Sequence, residues 1–247
     1  MVEAAVVKVH LSVGTARVPT LVYNTAGDGP KPAVVLSAEA FGINEFTKQV
    51  ASELAAAGYV VVVPDYYHGE GLANPESYTD FTEVMEFIER LDFGQGAHDV
   101  MAAVTYARSL PGVDPARVCV WGYCTGGTLA MMTASLDRAL AAAVLFFPSQ
   151  PTFPELNDKR PVQPINLLWN VACPVLLILG EQDQMLVDLV PEFRRRFETW
   201  GIDHQINIYA DAGHAFSAPV PPLRNDAADK ASWADAMAFL QQHCRQP

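Results

Sequence analysis

Apolar and polar residues alternate over residues 7–13, and a second strand-like stretch covers 18–24, with a glycine-containing turn between the two. Period-two alternation in short stretches marks half-buried strands, and the pair predicts an antiparallel hairpin. From residue 31 the pattern changes. Short apolar runs without alternation, at 33–37, 60–64, 118–122, 141–147 and 175–180, take turns with helical spacing at 44–57, 81–91, 97–110, 125–136 and 188–200. A strand at 205–209 and a helix at 226–243 close the order. Uninterrupted apolar runs mark strands covered on both faces, as in a parallel sheet between helix layers. The expected fold class is α/β: a three-layer α/β/α sandwich with a mostly parallel sheet and an N-terminal antiparallel hairpin. In such sheets ligands gather at the carboxyl ends of the strands, so the residues just after each apolar run are the first candidates for chemistry.

Composition narrows the picture. The chain has 247 residues, half of them hydrophobic and 18% charged, enough for one large core and a single domain over residues 1–247. No window holds the roughly 18 uninterrupted apolar residues of a membrane span, and the first residues lack a basic region followed by an apolar one. A soluble, cytoplasmic protein is expected, with no membrane partner. The formal charge of −12 argues against nucleic acid, whose binders concentrate Lys and Arg; the run Arg194-Arg195-Arg196 reads as a solvated helix face. Four cysteines, at 119, 124, 173 and 244, lie far apart without a CxxC pair, and reduced thiols are expected.

One cysteine has a distinctive setting. After the run 117–121 comes Gly122-Tyr123-Cys124-Thr125-Gly126-Gly127, and then a helical segment. This is G-x-C-x-G-G between strand and helix, the context of a nucleophile elbow. Glycines flank the cysteine because larger residues would collide with strand and helix in so tight a turn. The helix amino end also favours a thiolate. An isolated buried cysteine is usually a small core residue, and Cys119, Cys173 and Cys244 are read that way. In elbow geometry the backbone amide of Thr125 is one oxyanion donor.

A thiol nucleophile needs a base, and the base an orienting carboxylate. His214 lies in Asp211-Ala212-Gly213-His214-Ala215-Phe216, after the strand at 205–209, and so completes the order nucleophile, acid, histidine. The acid should follow the strand at 175–180; Asp183 is preferred, with Glu181 and Asp188 as alternatives. His10, His98, His204 and His243 read as surface or structural residues. His68 follows the strand at 60–64 at the reactive end of the sheet and is expected to line the substrate pocket. A metal role for it with Glu70 or Asp65 lacks supporting ligand spacing, and no metal or cofactor is expected.

With these residues in place, the chain resembles the dienelactone hydrolases, also called carboxymethylenebutenolidases, of the α/β-hydrolase superfamily. The resemblance rests on Gly122 to Gly127, on Gly180-Glu181-Gln182-Asp183, on Ala212-Gly213-His214-Ala215-Phe216 and on Glu39-Ala40-Phe41-Gly42-Ile43-Asn44. It runs in order and spacing from about residue 30 to the end. It implies a triad of Cys124, Asp183 and His214. It further implies that Glu39, otherwise readable as a structural acid, is an extra carboxylate that takes the thiol proton when substrate displaces it toward Cys124. The second oxyanion donor would be the amide of Ala40.

The implied function is hydrolysis of a small-molecule ester or lactone through an acyl-enzyme, in a monomer. Thioesterase or acyl transferase activity is the alternative, and a non-catalytic binding module of the same fold a third reading. Tyr123, Phe41, Tyr66, His68, Phe81, Met85 and Phe216, on segments flanking the reactive residues, are expected to bind substrate. The two arginines with which the family holds its anionic substrate fall, by alignment, on Phe81 and Ala218. Phe81, Met85 and Ile88 would then offer an apolar wall unless they are ordinary core, and Arg224 is the cation placed to substitute for a lost anchor. Uncharged esters and lactones are expected to be preferred.

Overall fold

The computed structural model describes residues 5–24, 29–72, 81–221 and 223–244. β1 (Ala5–Val13) and β2 (Ala16–Asn24) form the hairpin, with Ala5 opposite Asn24 and Val13 opposite Ala16. The turn closes through Gly14 at φ 57°, a left-handed conformation that glycine adopts without steric cost. β3 (Lys31–Ser37), β4 (Val60–Pro64), β5 (Val113–Tyr123), β6 (Ala142–Phe146), β7 (Val175–Gly180) and β8 (His204–Tyr209) follow. All eight make one sheet in the order β1-β2-β4-β3-β5-β6-β7-β8. β1–β2 and β2–β4 are antiparallel, and the remaining pairs parallel. Burial follows the sequence pattern: β4, β6 and β7 are buried throughout, while β1 at the edge leaves Val6 and Val7 half exposed.

The helices are α1 (Glu45–Ala56), α2 (Phe81–Arg90), α3 (Phe93–Ser109), α4 (Thr125–Leu136), α5 (Gln184–Val187), α6 (Val190–Trp200) and α7 (Asp226–Cys244). Successive strand side chains point to opposite faces, and β5 shows how this makes three layers. Cys119 is bonded to Cys244 at the end of α7, Trp121 packs on Trp233 of α7 at 5.5 Å, and Tyr123 lines the groove between α1 and α7. The residues between them face the other way, where Gly122 lies against the first turn of α4. α3 packs on α4 in that second layer. The expected α/β/α sandwich is therefore found.

Four expectations need correction. α3 begins at Phe93, several residues early, because Asp92 caps it by accepting the Gln95 N–H at 2.9 Å. The helix expected over 188–200 is found as α6, starting at Val190 with Pro191 in its first turn, where a missing N–H is no loss, but the short α5 before it lies where no element was expected. A 3-10 helix over Pro164–Asn170 lies where no element was expected. Cys119 and Cys244 form a disulfide across 125 residues rather than two reduced thiols. Their separation in sequence hides that the last turn of α7 reaches back to the central strand. Among the described residues, no helix is long and apolar enough to cross a membrane.

Candidate active site

Cys124 joins β5 to α4 at φ 52° and ψ −118°, a strained conformation for a residue with a side chain. Three bonds hold it there: its N–H donates to Phe146 O at 3.0 Å, and its carbonyl accepts from Thr128 N and Ser149 N, each at 3.1 Å. The flanking glycines have a measurable reason. A Cβ on Gly122 would stand 2.1 Å from Gly126 O, one on Gly126 2.1 Å from Ala38 O, and one on Gly127 2.9 Å from Phe146 O. The thiol is thus left partly exposed at the amino end of α4, where Thr125, as first residue of the helix, has an amide with no carbonyl one turn back to receive it.

The loops after β7 and β8 bring acid and base together. Glu181 N donates to Tyr209 O at 2.9 Å and Gln182 N to Ala212 O at 2.8 Å. Only a glycine fits where they touch, since a Cβ on Gly180 would lie 2.3 Å from Ala212 O. His214 Nδ1 is 2.6 Å from Asp183 Oδ2, and His214 Nε2 is 3.3 Å from Cys124 Sγ. Of the alternative acids, Glu181 accepts the Asp211 N–H and Asp188 accepts from Gln184. The ring of Phe147, edge-on at 5.3 Å, braces the imidazole.

Charge favours a thiolate beside an imidazolium. Burial alone would raise the Cys124 thiol, but the charge and hydrogen bond of His214 outweigh it and hold the thiol below its ordinary value. For His214 burial opposes the charge, yet the Cys124 thiolate and the bond to Asp183 push it up to about 10. Cys173 has no such partner, and burial pushes it up to about 12.

Glu39 lies just past β3, 3% exposed. Burial raises its carboxyl to about 7, against the opposing pull of the Asn44 hydrogen bond and of the His214 charge. Asn44 Nδ2 donates to Glu39 Oε1 at 2.9 Å. Tyr66 donates to the carbonyls of Ala38 at 2.9 Å and Glu39 at 2.7 Å.

The residues expected to bind substrate separate into different places. Tyr66 and His68 line a cleft of about 290 Å³ with Tyr67, Phe87, Arg90 and Leu91. Burial raises the Tyr66 and Tyr67 hydroxyls, and the nearby Cys124 thiolate raises them further. His68 Nε2 is 2.6 Å from the buried Asp99, while Asp65 accepts the Tyr67 and Gly69 N–H groups of its own turn. Among the described residues, no group of three His, Cys, Asp or Glu could hold a metal ion. Phe41 and Ala40 are buried beside Glu39. Tyr123 points away from the thiol, into the α1/α7 groove, because strand alternation sends it to that face. Phe216 is fully buried against Phe147 and Tyr209, as support behind the histidine. Met85 is 48% exposed whereas Ile88 is buried, so the two do not form one wall; the side chain of Phe81 lies outside the described residues. Arg224 is engaged by Ser217 O, Asp226 and Asp229 and faces the α1/α7 groove, which leaves it no part as a replacement anchor.

Sequence reasoning missed Asn44, Phe147 and Ser149. Asn44 was visible as a helix start and as the end of the Glu39–Asn44 motif, but without a role. Phe147 and Ser149 follow β6, and the strand-end rule applied there would have found them. Ser149 also helps to lower the Cys124 thiol through a side-chain hydrogen bond.

The sequence model of the dienelactone hydrolase family matches residues 18–244. The carboxymethylenebutenolidase of Pseudomonas putida is 29% identical over 198 residues, 76% of each chain. Among solved structures, a Klebsiella pneumoniae chain superposes with a TM-score of 0.83 at 24% identity, covering 96% of this chain and 99% of that one. A dienelactone hydrolase-like promiscuous phosphotriesterase from metagenomic libraries superposes with a TM-score of 0.77 at 23% identity, covering 98% and 99%. At those identities the two structures establish the shared fold.

Proposed function

Since the chain belongs to the dienelactone hydrolase family, we propose that it hydrolyses a small-molecule carboxylic ester or lactone through a thioester on Cys124. The observation that carries this reading is the line Cys124 Sγ, His214 and Asp183, spaced 3.3 Å and 2.6 Å. The thiolate attacks the carbonyl carbon, and the carbonyl electrons move to oxygen. The oxyanion is met by the amides of Thr125 and Ala40, donors whose placement costs nothing at the moment of reaction. As the tetrahedral centre collapses, the bond to the alkoxide breaks and the His214 imidazolium gives that oxygen its proton. A lactone stays attached through its own chain at this stage. Neutral His214 then takes a proton from water, the resulting attack releases the acid, and Cys124 leaves as thiolate.

Glu39 fits as a proton store. With a carboxyl held near 7, it exchanges a proton with the thiol at neutral pH without large cost in either direction. Asp183 fixes the imidazole tautomer and stabilises its charged form.

The test is a hydrolysis screen of small esters, lactones and thioesters with wild type and Cys124→Ala. Turnover by wild type and its loss in a folded Cys124→Ala protein are expected; a folded variant that keeps wild-type turnover overturns the reading. An intact mass increase equal to the acyl group, trapped at acid pH, identifies the thioester.

A further inference from the structure

An oxyanion donor on a loop acts only if its peptide plane is fixed. In a trans peptide the carbonyl of one residue and the N–H of the next point in opposite directions. Whatever grips the carbonyl of Glu39 therefore aims the N–H of Ala40. That carbonyl is gripped twice: Gly42 N donates to it at 3.0 Å, closing a turn with Gly42 at φ 76°, and the Tyr66 hydroxyl donates to it at 2.7 Å. The same hydroxyl reaches Ala38 O at 2.9 Å. Ala38 O in turn rests against the first turn of α4, where Gly126 leaves it room. Two consecutive carbonyls are thereby held by one buried phenol, on a segment that touches the nucleophile's helix.

We propose that Tyr66 is a positioning residue for the oxyanion site, fixing the Glu39–Ala40 peptide so that the Ala40 amide faces the charge that develops on the attacked carbonyl. This rests on the reading of Cys124 as nucleophile. It replaces the expectation that Tyr66 binds substrate. Tyr66 is 4% exposed and its ring packs on Tyr67 at 4.6 Å, so the ring is held in place while its hydroxyl meets Glu39 O at 2.7 Å. Rotating the peptide would break both bonds to Glu39 O and strand a buried carbonyl.

The test is Tyr66→Phe, which keeps the ring and removes the hydroxyl. Losing an oxyanion donor outright costs about 10²–10³ in kcat; losing its positioning should cost about 10- to 100-fold, with KM within about twofold. Two further measurements separate this from a structural defect. Alkylation of Cys124 by iodoacetamide forms no oxyanion and should keep its rate. A trifluoromethyl ketone, to which the thiolate adds to give an anionic hemithioketal, should bind more weakly in proportion to the loss of kcat/KM. Tyr66→4-aminophenylalanine keeps a donor in place and should restore most of the activity, which also covers a failure of the phenylalanine variant to fold. Unchanged kcat overturns the proposal, as does a parallel fall in turnover and alkylation. If Cys124→Ala retains wild-type turnover, the underlying reading fails first, and that result is distinct from any effect at Tyr66.

Discussion

Asn44 divides its side-chain amide between two partners: Oδ1 accepts the Thr47 N–H at 2.9 Å and caps α1, while Nδ2 donates to Glu39 Oε1 at 2.9 Å. The start of a helix and the setting of a buried carboxyl are thus one structural event. The cap is worth about 1 kcal/mol; its second use ties Glu39 to a rigid element instead of a loop.

The burial of Glu39 makes stability depend on pH. Its carboxyl is raised from an ordinary 4.5 to about 7, so the folded state binds more protons than the unfolded state between those values. Stability therefore falls as pH rises through this window, by up to about 3 kcal/mol, and stays lowered above it. Glu39→Gln should raise the melting temperature at pH 8 and lose that advantage at pH 4, by calorimetry. An equal shift at both pH values would contradict the raised carboxyl.

Thiol labelling reads the Cys124–His214 pair directly. Native protein should be alkylated at Cys124 at neutral pH, with a rate midpoint below the ordinary thiol value of 9, while Cys173, raised to about 12 and buried, reacts only after unfolding. His214→Ala should move the midpoint upward, because burial then acts without an opposing charge. Turnover should also fall at alkaline pH as the imidazolium is lost, since the Cys124 thiolate and the bond to Asp183 push His214 up to about 10. Peptide mapping after timed alkylation checks the first two points, and a kcat/KM profile the third.

Asp183→Asn should keep the fold and lose about 10²- to 10⁴-fold in kcat, because an amide favours the wrong imidazole tautomer. Glu181→Gln should stay within about threefold, as its carboxylate reaches the Asp211 amide rather than His214. Steady-state kinetics on both variants decides which acid serves.

The sheet and the grouping of Cys124, Asp183 and His214 were legible because local rules carry them. Buried strands 60–64 and 175–180 read as apolar runs and are found at those bounds, and the glycines around Cys124 announce a tight turn. What stayed hidden depends on side-chain direction or distant contact. Tyr123 adjoins Cys124 in sequence yet points to the opposite face of the sheet. Phe216 sits near His214 but supports it from behind. Met85 and Ile88 suited one helical face, yet only Ile88 is buried, because which arc of α2 meets the core depends on the docking of that helix. The bond from His68 to Asp99 spans 31 residues and has no local signature.

Substrate charge remains the sharpest question of specificity. Ala218 is buried and Arg224 is committed to two aspartates, so neither offers a free guanidinium beside Cys124. Arg90 borders the His68 cleft, stacked over Phe87 at 5.2 Å. A neutral lactone or short aryl ester should show a higher kcat/KM than dienelactone, and Arg90→Ala should leave the ratio unchanged. A clear preference for dienelactone would show that a cation reaches the substrate; its loss in Arg90→Ala would identify which one.

Along β5 the side chains toward α7 and those toward α4 serve separate neighbours, and Cys124 follows the strand with its thiol turned from the α7 side. A change at Trp233 reaches the imidazole along a line of rings, from Trp121 through Phe146 and Phe147 to His214, as well as through the β5 backbone, which hydrogen bonds to β3 and β6 hold on either side. Substitutions on the ring line should therefore alter heat sensitivity and the site together, whereas those on the outer face of α7 should leave the site alone. The α7 surface can be rewritten, within the limits of its packing on Trp121, while Cys124 keeps its place on the far side of the sheet.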